Sequence, residues 1–164
     1  MERILLTIAL LVLGTIMAGA QDLNGIDVGT PMPKSTVKSL FGQWEYIEED
    51  EESLMTTYMY NNNHDELVTY DNDNKVGRFC ITKNKRFKVL TKLVPGGIGI
   101  GDNISKLTAK IKFTEYKEGT TSKYIVFRSK LVDEYVYGAQ CDCPLSICTR
   151  NGIVISFEYD ELPI

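Results

Sequence analysis

From residue 43 onward the chain alternates short runs rich in Val, Ile, Tyr, Phe and Thr with clusters of Asn, Asp, Gly and Lys. That rhythm is one of strands and turns. It predicts strands over 43–49, 54–60, 66–70, 77–82, 86–94, 107–115, 123–130, 134–143 and 152–159. Asn61-Asn62-Asn63, Asp71-Asn72-Asp73-Asn74 and Asn84-Lys85 mark turns. The cleanest alternation runs from Leu107 to Thr114. Leu107, Ala109, Ile111 and Phe113 fall on one face, and Thr108, Lys110, Lys112 and Thr114 on the other, the period of a strand with one dry and one wet side. Upstream, 21–34 has no periodicity and holds Gly25, Gly29, Pro31 and Pro33, which predicts an extended lead-in. Residues 35–41 predict one or two helical turns capped by Ser35 or Thr36. Many strands, few helices and no strand–helix alternation predict an all-β antiparallel up-and-down barrel or a sandwich.

Composition narrows the class. The chain has 164 residues, 43% hydrophobic and 24% charged, enough for one core and short for two. The net charge of −4 gives nonspecific nucleic-acid binding no electrostatic support. A single histidine, His64, excludes a multi-histidine metal site, and no nucleophile motif accompanies it. Arg3 precedes the apolar run 4–13, and Ala18-Gly19-Ala20 follows, the layout of a secretory signal peptide cut after Ala20. The expected organisation is therefore a signal over 1–20, a lead-in over 21–34 and one β domain over 35–164. After cleavage no stretch is expected to insert in a membrane, and the mature protein is expected outside the cell.

Export changes the reading of Cys80, Cys141, Cys143 and Cys148. An even count in an oxidising compartment predicts two disulfides rather than a metal cluster. Cys141 and Cys143 share one strand face and should not bond each other. Of the three connectivities the favoured one closes Cys143 on Cys148 around Pro144–Ile147 and joins Cys80 to Cys141. Asn103-Ile104-Ser105 is a glycosylation sequon after the glycine-rich 95–101, which reads as a flexible loop at the mouth of a barrel.

The order of motifs resembles the lipocalin family. Leu40-Phe41-Gly42-Gln43-Trp44-Glu45-Tyr46 is similar to that family's Gly-x-Trp signature at the first strand. The run 107–113, then Tyr124–Phe127, then Glu134-Tyr135-Val136-Tyr137 leading to Cys141-Asp142-Cys143, resembles the back half of apolipoprotein D-like lipocalins. Two signatures diverge. The second is unmatched near 130–135, and Glu158 stands where the third has an arginine. The resemblance implies an eight- or nine-stranded barrel with a short N-terminal helix, and the family's C-terminal helix is expected to be missing from this chain. It implies a structural role for Gly42 and for Trp44 at the closed end.

A barrel of this kind would hold a small hydrophobic or amphipathic ligand. The expected lining is Tyr46, Phe87, Val89, Ile111, Phe113, Tyr124, Val126, Tyr135 and Tyr137. No cofactor and no metal is called for, and no catalytic role: His64 sits in a turn, and a free Cys80 would be needed for lipid isomerase chemistry. The alternative is a secreted matrix, salivary or venom-type protein acting through its outer surface. There the acidic run 48–52 would meet a protein partner or weakly bind calcium or mineral.

Overall fold

The computed structural model describes residues 21–140 and 144–161. The elements run β1 (Asp22–Leu23), β2 (Ile26–Asp27), α1 (Lys34–Phe41), β3 (Tyr46–Asp50), β4 (Met55–Tyr60), β5 (Asp65–Tyr70) and β6 (Val76–Ile81). After a long connection come α2 (Ser105–Thr108), β7 (Thr114–Glu115), β8 (Tyr124–Phe127), β9 (Asp133–Tyr137), β10 (Leu145–Arg150) and β11 (Ile153–Asp160). The class is all-β. β1 and β2 form a small hairpin, and the other nine strands form one sheet in the order β3-β4-β5-β6-β11-β10-β9-β8-β7.

That sheet is open. A barrel requires its first and last strands to pair, whereas β3 and β7 lie at opposite edges. All pairs in the sheet are antiparallel except β7 with β8. The expected barrel is therefore corrected to a single open sheet.

Cross-strand register builds the core as rows on one face. Ile47, Tyr58, Leu67, Phe79, Tyr159, Leu145, Tyr137 and Tyr124 stand opposite one another in sequence across the sheet. A second row runs Ile81, Phe157, Ile147, Tyr135 and Val126. β4 shows the cause in the sequence: Thr56, Tyr58 and Tyr60 point inward and are buried, and Met55, Thr57 and Met59 point the other way. Phe79 stacks on Tyr159 with centroids 5.4 Å apart.

The dry face is closed by the helix and the long connection. Val37 and Phe41 are the buried side of α1, and Phe41 stacks on Phe87 at 4.0 Å. Gly42 ends the helix at φ 94, with its amide donating to the Lys38 carbonyl at 3.1 Å. A Cβ there would also come within 2.7 Å of the Arg86 guanidinium, a flexible side-chain end that can shift, so the positive φ is what calls for glycine. Trp44 packs edge-on against Tyr58 at 5.0 Å. It braces the start of β3, with no barrel base to plug.

One predicted strand, 86–94, is absent, and another, 107–115, is reduced to the two residues of β7. Over 86–94 only Val89 makes ladder contacts, as isolated bridges to Leu23 and Ile98. Phe87, Val89 and Leu90 are all buried, and Leu90 turns the chain at φ 55. Over 107–113 the chain coils: the amides of Thr108, Ala109 and Ile111 donate to Ile104, Ser105 and Leu107 carbonyls at 3.0 Å each. Leu107 and Ile111 lie four residues apart, a spacing common to a strand face and a helix face, so alternation misled. The glycine-rich 95–101 is packed rather than flexible at a mouth. Ile98 is fully buried and exchanges amide hydrogen bonds of 2.8 and 2.9 Å with Val89.

One strand was not predicted. β10 alternates Leu145, Ile147 and Thr149 inward against Ser146, Cys148 and Arg150 outward. Asn151-Gly152 joins it to β11, with φ 51 and 75. Positive φ at both positions is the two-residue hairpin turn that Asn-Gly favours. Asn24-Gly25 joins β1 to β2 in the same way, with φ 52 and 85, so the lead-in is a hairpin.

Candidate functional site

The nine residues expected to line a cavity fall in three separate places. Tyr46 lies on the other face of the sheet, opposite Met59, 39% exposed and donating to Asn63 Oδ1 at 2.7 Å. Phe87 and Val89 are buried beneath α1 and the β1–β2 hairpin. Ile111, Phe113, Tyr124, Val126, Tyr135 and Tyr137 gather at the β7–β9 end. There the rings touch one another: Phe113 with Tyr135 at 5.2 Å, Phe113 with Tyr124 at 6.0 Å, and Tyr124 with Tyr137 at 5.1 Å. Edge-to-face and tilted contacts at these distances are packing contacts in a filled core. Arg128 closes the end of this cluster. Its guanidinium donates to Asp133 at 2.5 Å and to the Tyr135 hydroxyl at 2.9 Å, and stands 5.4 Å over the Tyr135 ring.

A concave feature of the surface lies elsewhere. A depression of about 510 Å³ sits on the β3–β4 hairpin, lined by Glu48–Ser53, Met55 and Thr57. The acidic run that lines it is partly engaged. Glu49 accepts from Lys34 of α1 at 2.5 Å. A hydrogen bond with the Ser53 hydroxyl, then those from the amides of Ser53 at 3.3 Å and Glu52 at 3.0 Å, hold the Asp50 carboxyl below the usual carboxylate range. Strand alternation sends Glu48 and Asp50 to one face and Glu49 to the other. Among the described residues no group of three or more His, Cys, Asp or Glu side chains is placed to hold a metal ion. Glu48, Glu51 and Glu52 line the depression as carboxylates unpaired among the described residues.

Two buried carboxylates do structural work that the sequence reading missed. Asp22 is 1% exposed. It accepts from the amides of Gly25 at 3.0 Å, Thr91 at 3.1 Å and Lys92 at 3.2 Å, and from the Thr91 hydroxyl at 2.6 Å. It thereby clasps the N-terminal hairpin to the long connection. Asp65, equally buried, accepts from the amides of Thr82, Lys83 and Asn84 and from Asn61 Nδ2, shaping the turn after β6. Short polar residues beside turns were the available signal. His64 is exposed in the turn between β4 and β5.

Cys80 and Cys148, half-buried on the wet face of the sheet, form no disulfide among the described residues. Burial pushes both up, and neighbouring carboxylates add to it: Glu158 and Glu66 at Cys80, Glu134 and Glu158 at Cys148. At Cys148 a hydrogen bond with Ser156 pulls the other way. The thiolate, the reactive form, is disfavoured at both. Cys80 stands opposite Glu158 and Cys148 opposite Ser156, so β11 lies between them. Their expected partners, Cys141 and Cys143, lie outside the described residues, as does the signal segment 1–20. The sequon asparagine Asn103 is exposed at the start of α2, its Oδ1 accepting from the Ser105 amide at 2.9 Å.

No protein-family model and no curated protein matches the chain. It is similar to a solved extracellular protein containing an SCP domain from Bacillus anthracis str. Ames, at 11% identity and a TM-score of 0.44. It is also similar to a cysteine-rich secretory protein from Staphylococcus aureus subsp. aureus Mu50, at 11% identity and a TM-score of 0.34. The likeness covers 80% and 79% of this chain but 44% and 47% of theirs, so the chain spans under half the length of each. With two free sheet edges and no strand over 107–113 among the described residues, the lipocalin resemblance is overturned.

Proposed function

We propose that the chain is an exported protein that acts by contact through its outer surface, with the acidic β3–β4 hairpin as the contact element. The observation that carries this reading is the pairing of a packed aromatic cluster, where a cavity lining was expected, with an open acidic depression. The rings expected to line a cavity pack on one another, whereas Glu48, Glu51 and Glu52, unpaired among the described residues, stand around a concavity facing solvent. The signal-like layout of 1–20 and the exposed sequon at Asn103 support export. The chemistry of the hairpin favours a cationic partner. Its carboxylates are spread along a strand edge and a turn, which suits several lysine or arginine side chains better than one calcium ion.

The test uses mature protein from a secreting host. A short oligolysine peptide, and separately calcium, are titrated while backbone amide shifts are followed by NMR. Oligolysine is expected to move the amides of 48–53 at low salt, with the effect screened at high salt and lost in the Glu48→Gln/Glu51→Gln/Glu52→Gln triple variant. Two results overturn the reading: amides of 48–53 that ignore oligolysine, or native mass spectrometry that finds an extractable small molecule bound one to one. An intact mass beginning at Gln21 checks the export step.

A further inference from the structure

The two free edges of the sheet carry opposite charge. The stretch 45–73, which builds β3, β4 and β5, holds ten acidic residues and no lysine or arginine. The stretch 106–130, which builds β7 and β8, holds seven basic residues against two acidic ones. The modest net charge of −4 therefore conceals a charge separation that the topology stretches across nine strands. At ~4.8 Å per strand the two edges lie roughly 38 Å apart.

Both edges are also unfinished. No strand pairs with the outer side of β3 or β7 among the described residues, so each presents unpaired backbone donors and acceptors. β3 is exposed at every position but Ile47. At the other edge Lys110, Lys112, Lys117, Lys123 and Lys130 are exposed, and none makes an ion pair with the described residues. That edge carries apolar surface too. Tyr116 and Phe127 lean on each other in the open at 4.7 Å, 48% and 39% exposed, and Leu131 is 77% exposed.

We propose that the cationic partner of the acidic hairpin is a second copy of this chain, docking head to tail with the β3 edge of one copy against the β7–β8 edge of the next. The proposal rests on the contact reading above and names its partner. Charge complementarity selects the arrangement. Two β3 edges facing each other would bring Glu48, Glu51 and Glu52 against their own counterparts, and two β7 edges would oppose lysines. Like edges repel and unlike edges attract. Because the two patches differ, the contact is heterologous, and repetition gives a ring or an open array rather than a closed dimer. Exposed ion pairs are individually weak, so association depends on concentration and falls steeply with salt.

Sedimentation velocity on mature protein, over a concentration series, tests this in ~20 mM and ~500 mM salt, where the screening length falls from about 20 Å to about 4 Å. A weight-average mass that at least doubles at low salt and returns to the monomer at high salt is expected. Two charge-reversal variants provide the control: Glu48→Lys/Glu51→Lys/Glu52→Lys and Lys110→Glu/Lys112→Glu/Lys117→Glu. Each is expected to stay monomeric alone, and an equimolar mixture to associate again, because the unaltered basic edge of the first meets the unaltered acidic edge of the second and the two reversed edges also complement each other. Circular dichroism confirms that both variants are folded. A monomer at every concentration in low salt overturns the inference, as does association that survives both reversals. If oligolysine still moves the amides of 48–53 while the protein stays monomeric, the contact reading stands and only its partner is wrong.

Discussion

Removing the Asp22 carboxylate should loosen the whole N-terminal side of the molecule. In the Asp22→Ala variant four hydrogen bonds disappear, from Gly25, Thr91 twice and Lys92. Hydrogen bonds to a charged group contribute roughly 1.5–3 kcal/mol each. Their sum overstates the loss, because folding also costs the desolvation of a carboxylate that is 1% exposed. Gly25 and Lys92 are exposed, so water replaces part of what their amides lose. A net destabilisation of about 2–4 kcal/mol follows. That is a large share of the ~5–15 kcal/mol typical of a domain. Urea unfolding should show a lower midpoint with an unchanged slope. Hydrogen exchange should show faster exchange at the Thr91 and Lys92 amides, while core amides such as Leu67 slow or speed only with global stability. Asp22→Asn should fall between, since one of its two oxygens becomes a donor facing other donors. A variant within about 0.5 kcal/mol of the parent would refute the clasp, since that is the range of neutral surface changes. Unchanged exchange at Thr91 and Lys92 would refute it equally.

Tyr60→Phe and Thr149→Val should each raise the urea midpoint, by about 1 kcal/mol in stability, because the Tyr60 and Thr149 hydroxyls are buried without a hydrogen-bond partner among the described residues. A drop in either would mean that the hydroxyl is satisfied. Gly97→Ala should cost about 1–3 kcal/mol, since Gly97 has φ 69 and an added Cβ would lie 2.8 Å from Thr91 Cγ2 and 3.0 Å from the Val89 carbonyl. Thermal unfolding reads this directly. Burial pushes the Asp102 carboxyl up, but Lys106, the Gly99 amide and Lys88 outweigh it and hold it below the usual range. A carboxyl depressed on folding stabilises above its unfolded value of ~3.9, and that contribution fades as pH falls through the lower folded value. Asp102→Asn should therefore lower stability at neutral pH and flatten the acid limb below about pH 4, measured as urea midpoint against pH. Non-reducing peptide mapping should find no Cys80–Cys148 crosslink, because with β11 between them the two Cα atoms are roughly two strand spacings, ~9.5 Å, apart, beyond the ~7 Å reach of a disulfide.

The strands were legible wherever local alternation decides the face. β4 is visible in Thr56, Tyr58 and Tyr60, and β11 in Val154, Phe157 and Tyr159 despite a register shift opposite Cys148–Thr149. Legibility failed where one spacing serves two structures. Leu107 and Ile111 fit a strand and a helical turn equally, and only the backbone bonds from Thr108, Ala109 and Ile111 settle it. β10 was hidden by reading 144–147 as a disulfide-closed turn, although Asn151-Gly152 is a strong hairpin signal with alternating residues on both sides. Closure of the sheet was not legible at all, since it depends on whether residues near 48 and 114 meet, and no local pattern encodes that. The acidic run of the candidate site was plain in the sequence. That Lys34 takes Glu49 out of it, and that the opposite charge gathers on the far edge, follows only from the strand order.

The pairing of β6 with β11 has a consequence for how the chain assembles. β3 to β6 form one continuous meander of local hairpins, and β8 to β11 form another. The seam between them is four residue pairs, from Phe157 with Ile81 to Asp160 with Arg78. Each meander gathers itself from neighbours close in sequence, whereas the seam must bring together segments almost eighty residues apart. Its loop-closure entropy is met late, after both halves have form. Folding should thus slow at the zipping of two preformed half-sheets, with substitutions at Phe79 or Phe157 slowing refolding more than those at Tyr58 or Tyr124. Until that seam shuts, each half-sheet has an inner edge open to any strand that reaches it first.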